Sequence, residues 1–217
     1  MAKEPSIKAV FFDIGETLIN ETRSWSVLAD WLGIPHMTMF AVLGDLVSKG
    51  RDHRDLFDIL RPDIGWNGVV ERFRNIGEPL YLPEDLYPDV RPALQSLRRQ
   101  GYFVGIAGNQ PVEREKDLIA MGLPADLIAT SGGWRLKKPD REFFERIVQE
   151  VGCRPEEIAY VGDRVDNDVV PAAEAGLVPI HIIRGAWGYI QRDWPGIALS
   201  RAQVRSLSEI PQLLFAS

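Results

Sequence analysis

The sequence predicts an α/β fold, a parallel sheet with helices on both faces and an α-helical segment spliced in after the first strand. Three observations predict it. Short apolar runs rich in β-branched and aromatic residues recur at 7–12, 102–107, 127–130, 158–161 and 178–183. Stretches of helical period separate the later runs, the alternation expected of βαβ units. Residues suited to chemistry (Asp13, Asn109 with Gly108 before it, Lys138 and Asp163) fall where runs end or the next helix begins, and open α/β sheets gather their sites there.

The first run reads Ile7-Lys8-Ala9-Val10-Phe11-Phe12 and closes on Asp13. From about Asn20 to about Pro88 the rhythm breaks, with no convincing strand. Trp25, Leu28, Ala29 and Leu32 fit one helix face, and Phe40, Leu43 and Val47 fit another. Pro35, Pro62, Pro79 and Pro83 fall in the loops between. The expected division is a core of residues 1–19 and 87–217 with a helical cap at 20–86, lying over the carboxyl ends of the strands as a lid. Val90, Leu94 and Leu97 then share a helix face that stops at Gly101; Phe144, Ile147, Val148 and Val151 share another, stopped by Gly152. Val169, Val170 and Ala173 form a third, ended by Gly176. In the tail, Trp187, Tyr189 and Trp194 are read as packing anchors, and a short helix is expected near 207–214.

Composition narrows the class. A chain of 217 residues, 45% hydrophobic and 26% charged, suits a globular protein with one sizeable core. Its net charge of −6 argues against a nucleic-acid footprint, which needs a basic surface. Cys153 is the sole cysteine, so no intrachain disulfide forms. The leading residues lack an apolar core and no stretch reaches membrane-span length, so a cytoplasmic protein with no membrane partner is expected. Oligomeric state is not encoded legibly.

Phosphoryl transfer to a carboxylate needs a nucleophile, a cation to neutralise the phosphate, and donors for its remaining oxygens. Asp13 is the candidate nucleophile. Asp163 and Asp168 flank a strand-to-helix turn and, with backbone carbonyls, make a hard oxygen site suited to Mg²⁺. Lys138, ahead of Pro139, is placed to neutralise Asp13 and a bound phosphate. Asn109 is placed to donate its amide to the phosphate. Singly, each Asp is an ordinary turn or helix-capping residue and Lys138 an ordinary surface lysine. All of them at successive strand ends, in this order, is what turn chemistry does not explain.

Four segments carry a resemblance that covers nearly the whole chain: 11–18 (Phe-Phe-Asp-Ile-Gly-Glu-Thr-Leu), 106–109 (Ile-Ala-Gly-Asn), 138–140 (Lys-Pro-Asp) and 161–168 (Val-Gly-Asp-Arg-Val-Asp-Asn-Asp). In their order and spacing the chain resembles the haloacid dehalogenase-like hydrolase superfamily, in the form with a helical cap between the first two motifs. The resemblance implies a Rossmann-like core, Mg²⁺ dependence and an aspartyl-enzyme intermediate. It implies that Asp13 attacks, that Asp163 and Asp168 hold Mg²⁺ directly or through water, and that the Gly15 carbonyl is a further ligand. The expected substrate is a small phosphorylated metabolite.

Two positions depart from the pattern. Phosphatases of this superfamily carry a second Asp where this chain has Gly15, and that Asp acts as general acid and base. Such help is typically worth roughly 10²–10⁴-fold, so a slow phosphatase is expected unless a substitute exists; Glu16 points elsewhere along the turn. Gly108 stands where Ser or Thr would bond the phosphate, at a cost of about 1.5–3 kcal/mol of charge-assisted bonding. The polar turn 48–54 (Ser-Lys-Gly-Arg-Asp-His-Arg) resembles the specificity loop of capped sugar-phosphate enzymes, with Lys49, Arg51 and Arg54 as substrate contacts; a solvated helix connection reads equally well. His36 and His181 give no reason to prefer ligation over packing. The competing readings are a non-catalytic phosphate- or metal-binding protein of this fold, a C–P hydrolase with Lys49 as Schiff base, and a metal-independent dehalogenase.

Overall fold

In the computed structural model, which describes residues 6–75 and 81–215, six strands form one parallel sheet in the order β3-β2-β1-β4-β5-β6. They are β1 (Ala9–Phe12), β2 (Phe103–Gly108), β3 (Leu127–Thr130), β4 (Ile158–Gly162), β5 (Val178–Ile182) and β6 (Ala202–Val204). Strand β1 is central and pairs with β2 on one side and β4 on the other. Covered on both faces, it has no polar alternation, which is why it reads as an unbroken apolar run.

Alternate β1 side chains go to opposite layers, the period of two that a strand imposes. Val10 and Phe12 pack in a cluster with Leu94 and Leu97 of α5 (Val90–Arg99), Leu118 of α6 (Val112–Ala120) and Ile210 of α11 (Ile210–Phe215). Ala9 and Phe11 pack with Phe143, Phe144 and Ile147 of α8 (Arg141–Val151), the helix after the short α7 (Ser131–Trp134), and with Ala172 of α9 (Val170–Glu174). Every one of these residues is fully buried. At roughly 1.5–3 kcal/mol for each large apolar side chain, the two layers fix the strand ends rigidly in space.

Between β1 and β2 lie α1 (Thr22–Leu32), α2 (His36–Ser48), α3 (Asp55–Leu60) and α4 (Gly65–Asn75). Their own cluster includes Leu28, Ala29, Leu32, Met39, Leu43, Leu46 and Phe57, and Trp187 of α10 (Gly185–Gln191) plugs into it from the sheet side. The segment leaves and returns through paired strands of chain. Ile19 bridges Leu86, Asn20 N donates to Asp85 O at 2.8 Å, and Tyr87 N donates to Leu18 O at 3.0 Å. Among the described residues no single helix is long and apolar enough to cross a membrane.

Several elements differ from expectation. The first strand begins at Ala9, and a sixth, only three residues long, was too short to register as a periodic run. Phe40 is 36% exposed, and Met39 takes the inward position on α2. The third helix face is split between a π-helical turn, Val165–Val169, and α9, which starts with Pro171 in its first turn. Tyr189 is exposed rather than an anchor, whereas Trp187 is 7% exposed. The expected final helix is a 3₁₀ turn, Leu207–Glu209, followed by α11. The leading residues 1–5 and Pro79 lie outside the described residues.

Candidate active site

The chain runs from β1 outward to β2 and β3, then crosses back to β4 on the other side of β1. That reversal opens a crevice at the carboxyl ends of β1 and β4, the place where doubly wound sheets bind ligands. Asp13 follows β1 directly, and its N–H donates to Val161 O of β4 at 2.8 Å. Asp163 follows β4, and Asp168 rises on the π-helical turn behind it. One carboxylate oxygen from each of Asp13, Asp163 and Asp168 lies within 4.8 Å of the others, and all three residues are buried.

Lys138 supplies the opposing charge. Its Nζ lies 2.7 Å from Asp13 Oδ1 and 2.5 Å from Asp168 Oδ1, and the residue is 2% exposed. Burial alone would lower this ammonium, but Asp13 and Asp168 outweigh it and hold the group well above its ordinary value. Lys138 is therefore a fixed positive charge at any physiological pH. It is also held from below. Asn109 Nδ2 donates to Lys138 O and Lys138 N donates to Asn109 Oδ1, both at 2.8 Å. These bonds use the Asn109 carbonyl oxygen and one of its two side-chain N–H groups, so the side chain also fixes the backbone that carries Nζ.

One lysine does not balance three carboxylates. Burial, with Asp168 and Asp13 beside it, pushes the Asp163 carboxyl well above the usual carboxylate range. Burial raises Asp168 to about 6 even though Lys138 pulls the other way. Asp163 Oδ2 is buried with no hydrogen-bond partner. A buried oxygen left bare in an acidic cluster is what a hard divalent cation satisfies, so the donor set fits Mg²⁺. His181, fully buried, bonds the Asp163 carbonyl through Nε2 at 2.9 Å and so positions this segment.

The two glycines that depart from the family pattern are both in close contact. A Cβ on Gly108 would lie 2.4 Å from Asp13 Oδ1, so the side-chain-free position leaves room for the nucleophile in its lysine-bound orientation. A Cβ on Gly15 would lie 2.8 Å from Glu21 Oε1, 2.9 Å from Glu21 Cδ and 3.1 Å from Glu21 Oε2. The space a second Asp would fill is taken by the carboxylate of Glu21, a residue the sequence reading passed over. The turn explains why. Gly15 bridges Ile19, Leu18 N and Ile19 N both donate to Ile14 O at 2.9 Å, and Glu16 sits at φ 52°, so the chain doubles back on itself. Glu16 points away from this space. Tyr87 Oη donates to its Oε2 at 2.5 Å, Glu21 N donates to its Oε1 at 3.0 Å, and burial raises it to about 7.

These residues line a cavity of about 600 Å³ between the strand ends and helices α1, α3 and α4. The sheet side contributes Asp13, Gly15, Glu21, Asn109, Lys138 and Asp163; the helical side contributes Trp25, Arg51, His53, Arg54, Phe57 and Trp66. Lys49 does not line it. Its ammonium is paired with Asp45 at 2.8 Å on the exposed face of α2, so the amine that a C–P hydrolase would need is not in the cavity. Arg51 pairs with Asp55 at 2.8 Å, and the Arg54 guanidinium lies 5.4 Å from the Trp66 ring centroid. Arg164 adds a cation not singled out from the sequence, paired with Asp166 at 2.7 Å and lying over Trp187.

Known proteins resemble this chain in sequence and in fold. A family model described as haloacid dehalogenase-like hydrolase matches residues 7–176. The glyceraldehyde 3-phosphate phosphatase of Methanocaldococcus jannaschii is 28% identical over 229 aligned positions, covering 96% of this chain and 97% of its own. The phosphoserine phosphatase of Thermus thermophilus is 33% identical over 125 positions, 54% of this chain and 50% of its own. The crystal structure of a HAD phosphatase from Thermococcus onnurineus superposes with a TM-score of 0.61 at 25% identity, over 96% of this chain and 98% of that one.

Proposed function

This chain belongs to the haloacid dehalogenase-like hydrolase family, and from that premise we propose that it is a Mg²⁺-dependent phosphatase of a small phosphorylated metabolite, working through phospho-Asp13. The buried triad of Asp13, Asp163 and Asp168 with Lys138 between two of them carries the reading. The relatives named as phosphatases support the substrate class, and no single compound is carried over from them.

Asp13 Oδ attacks the phosphorus while the bond to the leaving oxygen breaks; water then attacks the same phosphorus and frees the Asp13 carboxylate. Lys138 keeps its proton throughout. Its contribution is a fixed charge that orients Asp13 and offsets the phosphate, as buried, preorganised charges do. Asp13, Asp163, Asp168 and the Gly15 carbonyl are the groups to hold Mg²⁺, which when bound neutralises the phosphate oxygens. Residues 20–86 act as a cap. They exclude water, and Arg51 and Arg54 face the part of the substrate beyond its phosphate. We place this activity in the cytoplasm, where phosphorylated metabolites are found.

The test is phosphate release from a panel of phosphomonoesters with and without Mg²⁺. The expected outcome is turnover of at least one small ester that EDTA abolishes and Mg²⁺ restores. Thermal stabilisation by Mg²⁺ without turnover of any ester would assign the site to binding instead.

A further inference from the structure

We propose that Glu21 is the general acid and base of this site, standing in for the side chain that Gly15 lacks. The inference rests on the phosphatase reading and adds to it the group that moves the proton. The placement carries it: the Glu21 carboxylate lies within 2.8–3.1 Å of where a Gly15 Cβ would be, on the wall of the cavity that holds Asp13.

The carboxylate is held there. Tyr81 Oη donates to Glu21 Oε1 at 2.5 Å, and Gln110 Nε2 donates to the same oxygen at 3.3 Å. Tyr81 is itself fixed, 2% exposed and stacked under the Arg114 guanidinium, whose Cζ is 4.2 Å from the ring centroid. Both bonds converge on Oε1, so Oε2, 3.1 Å from where the Gly15 Cβ would be, is the oxygen assigned to the proton transfer. Gln110 follows the β2 end, and Tyr81, where the chain returns from the helices, packs in the sheet-side cluster with Ile14 and Leu18, so the carboxylate is aimed from the sheet side. Glu16, the other carboxylate of this turn, has its oxygens engaged by Tyr87 and by the Glu21 N–H.

The proton balance is as follows. In the first step Asp13 Oδ forms a bond to phosphorus, the ester P–O bond breaks, and the Glu21 carboxyl gives its proton to the departing alkoxide. In the second, the Glu21 carboxylate takes a proton from water as that water bonds to phosphorus; the P–O bond to Asp13 breaks, and Glu21 is again protonated.

Glu21→Gln tests it with two probes, glycerol 3-phosphate and p-nitrophenyl phosphate. The alkoxide needs a proton and nitrophenolate leaves without one. The variant is expected to lose roughly 10²–10⁴-fold in turnover of the alkyl ester. With the aryl ester it is expected to release one nitrophenolate per site in a burst and then stall as phosphoenzyme, because the second step lacks its base. Gly15→Asp placed in Glu21→Ala is expected to recover tenfold or more over Glu21→Ala, since the vacated space admits the new carboxylate. Gly15→Asp alone is expected to bring no gain, because its Cβ presses on Glu21. Equal losses on both esters with no burst would make Glu21 structural and overturn the proposal. So would wild-type rates for Glu21→Gln. A wild-type protein inert on every ester would instead overturn the phosphatase reading, and this inference with it.

Discussion

Asp13→Asn removes turnover of every phosphomonoester, by at least about 10³-fold, or about 4 kcal/mol in the barrier. The protein remains folded. The amide has the shape of the carboxylate and cannot form the covalent intermediate, so the loss falls on kcat. Stability should hold or rise when Mg²⁺ is absent. Asp13 is one of three buried carboxylates gathered within 4.8 Å, and neutralising it removes its repulsion with the other two. Steady-state phosphate release and thermal unfolding of the same sample check both halves. Retention of wild-type rate would remove Asp13 from the role of nucleophile.

Lys138→Met has the second largest effect, and it falls on both activity and stability. The methionine fills much of the volume but leaves Asp13 and Asp168 without the ammonium that now lies 2.7 and 2.5 Å away. Removing one partner of a fully buried ion pair costs about 3–5 kcal/mol, because the remaining charge stays buried. The pH dependence has a definite sign. Asp168 is already raised to about 6 with the lysine present and rises further without it. Below that value the carboxyl takes a proton and needs no cation; above it the carboxylate is stranded. The deficit of Lys138→Met against wild type is therefore largest at pH 7–8 and shrinks as pH falls through about 6. Added Mg²⁺ narrows it at the higher pH by supplying the missing charge. Denaturant unfolding at pH 5 and pH 8, with and without Mg²⁺, measures this. A deficit that is the same at both pH values would mean that packing, not charge, explains the loss.

The sheet and its polar strand ends were legible because each rests on local sequence. A central parallel strand must be apolar on both faces, so Val10 and Phe12 read as clearly as Ala9 and Phe11, and Asp13 stands out at their end. Asp163, Asp168 and Lys138 follow from the same logic, since strand order alone brings their backbones to one crevice. What did not follow were side-chain partners set by distant segments. Asn109 was read as a phosphate donor, and nothing local showed that the Lys138 backbone 29 residues on would bond its oxygen and one of its N–H groups. Lys49 lay in a polar, cationic turn, and an i,i+4 pairing with Asp45 drew it to solvent. The two glycines were read as deletions because a sequence shows a missing side chain and not what fills its space. Gly108 makes room for Asp13, and Gly15 makes room for Glu21 only because the turn after β1 folds back. The signal for Glu21 was faint: it is the next carboxylate after Glu16 and opens the first helix. Its use depends on Tyr81 and Gln110, respectively 60 and 89 residues away.

The reading as a whole turns on where the phosphate goes. Acid-quenching the Mg²⁺-loaded protein during turnover of p-nitrophenyl phosphate, followed by peptide mapping, locates it. The expected result is phosphate on the acyl oxygen of Asp13, labile to hydroxylamine, absent from Asp13→Asn and accumulated in Glu21→Gln. Turnover with no phosphate on the Asp13 peptide in any of the three proteins would contradict it.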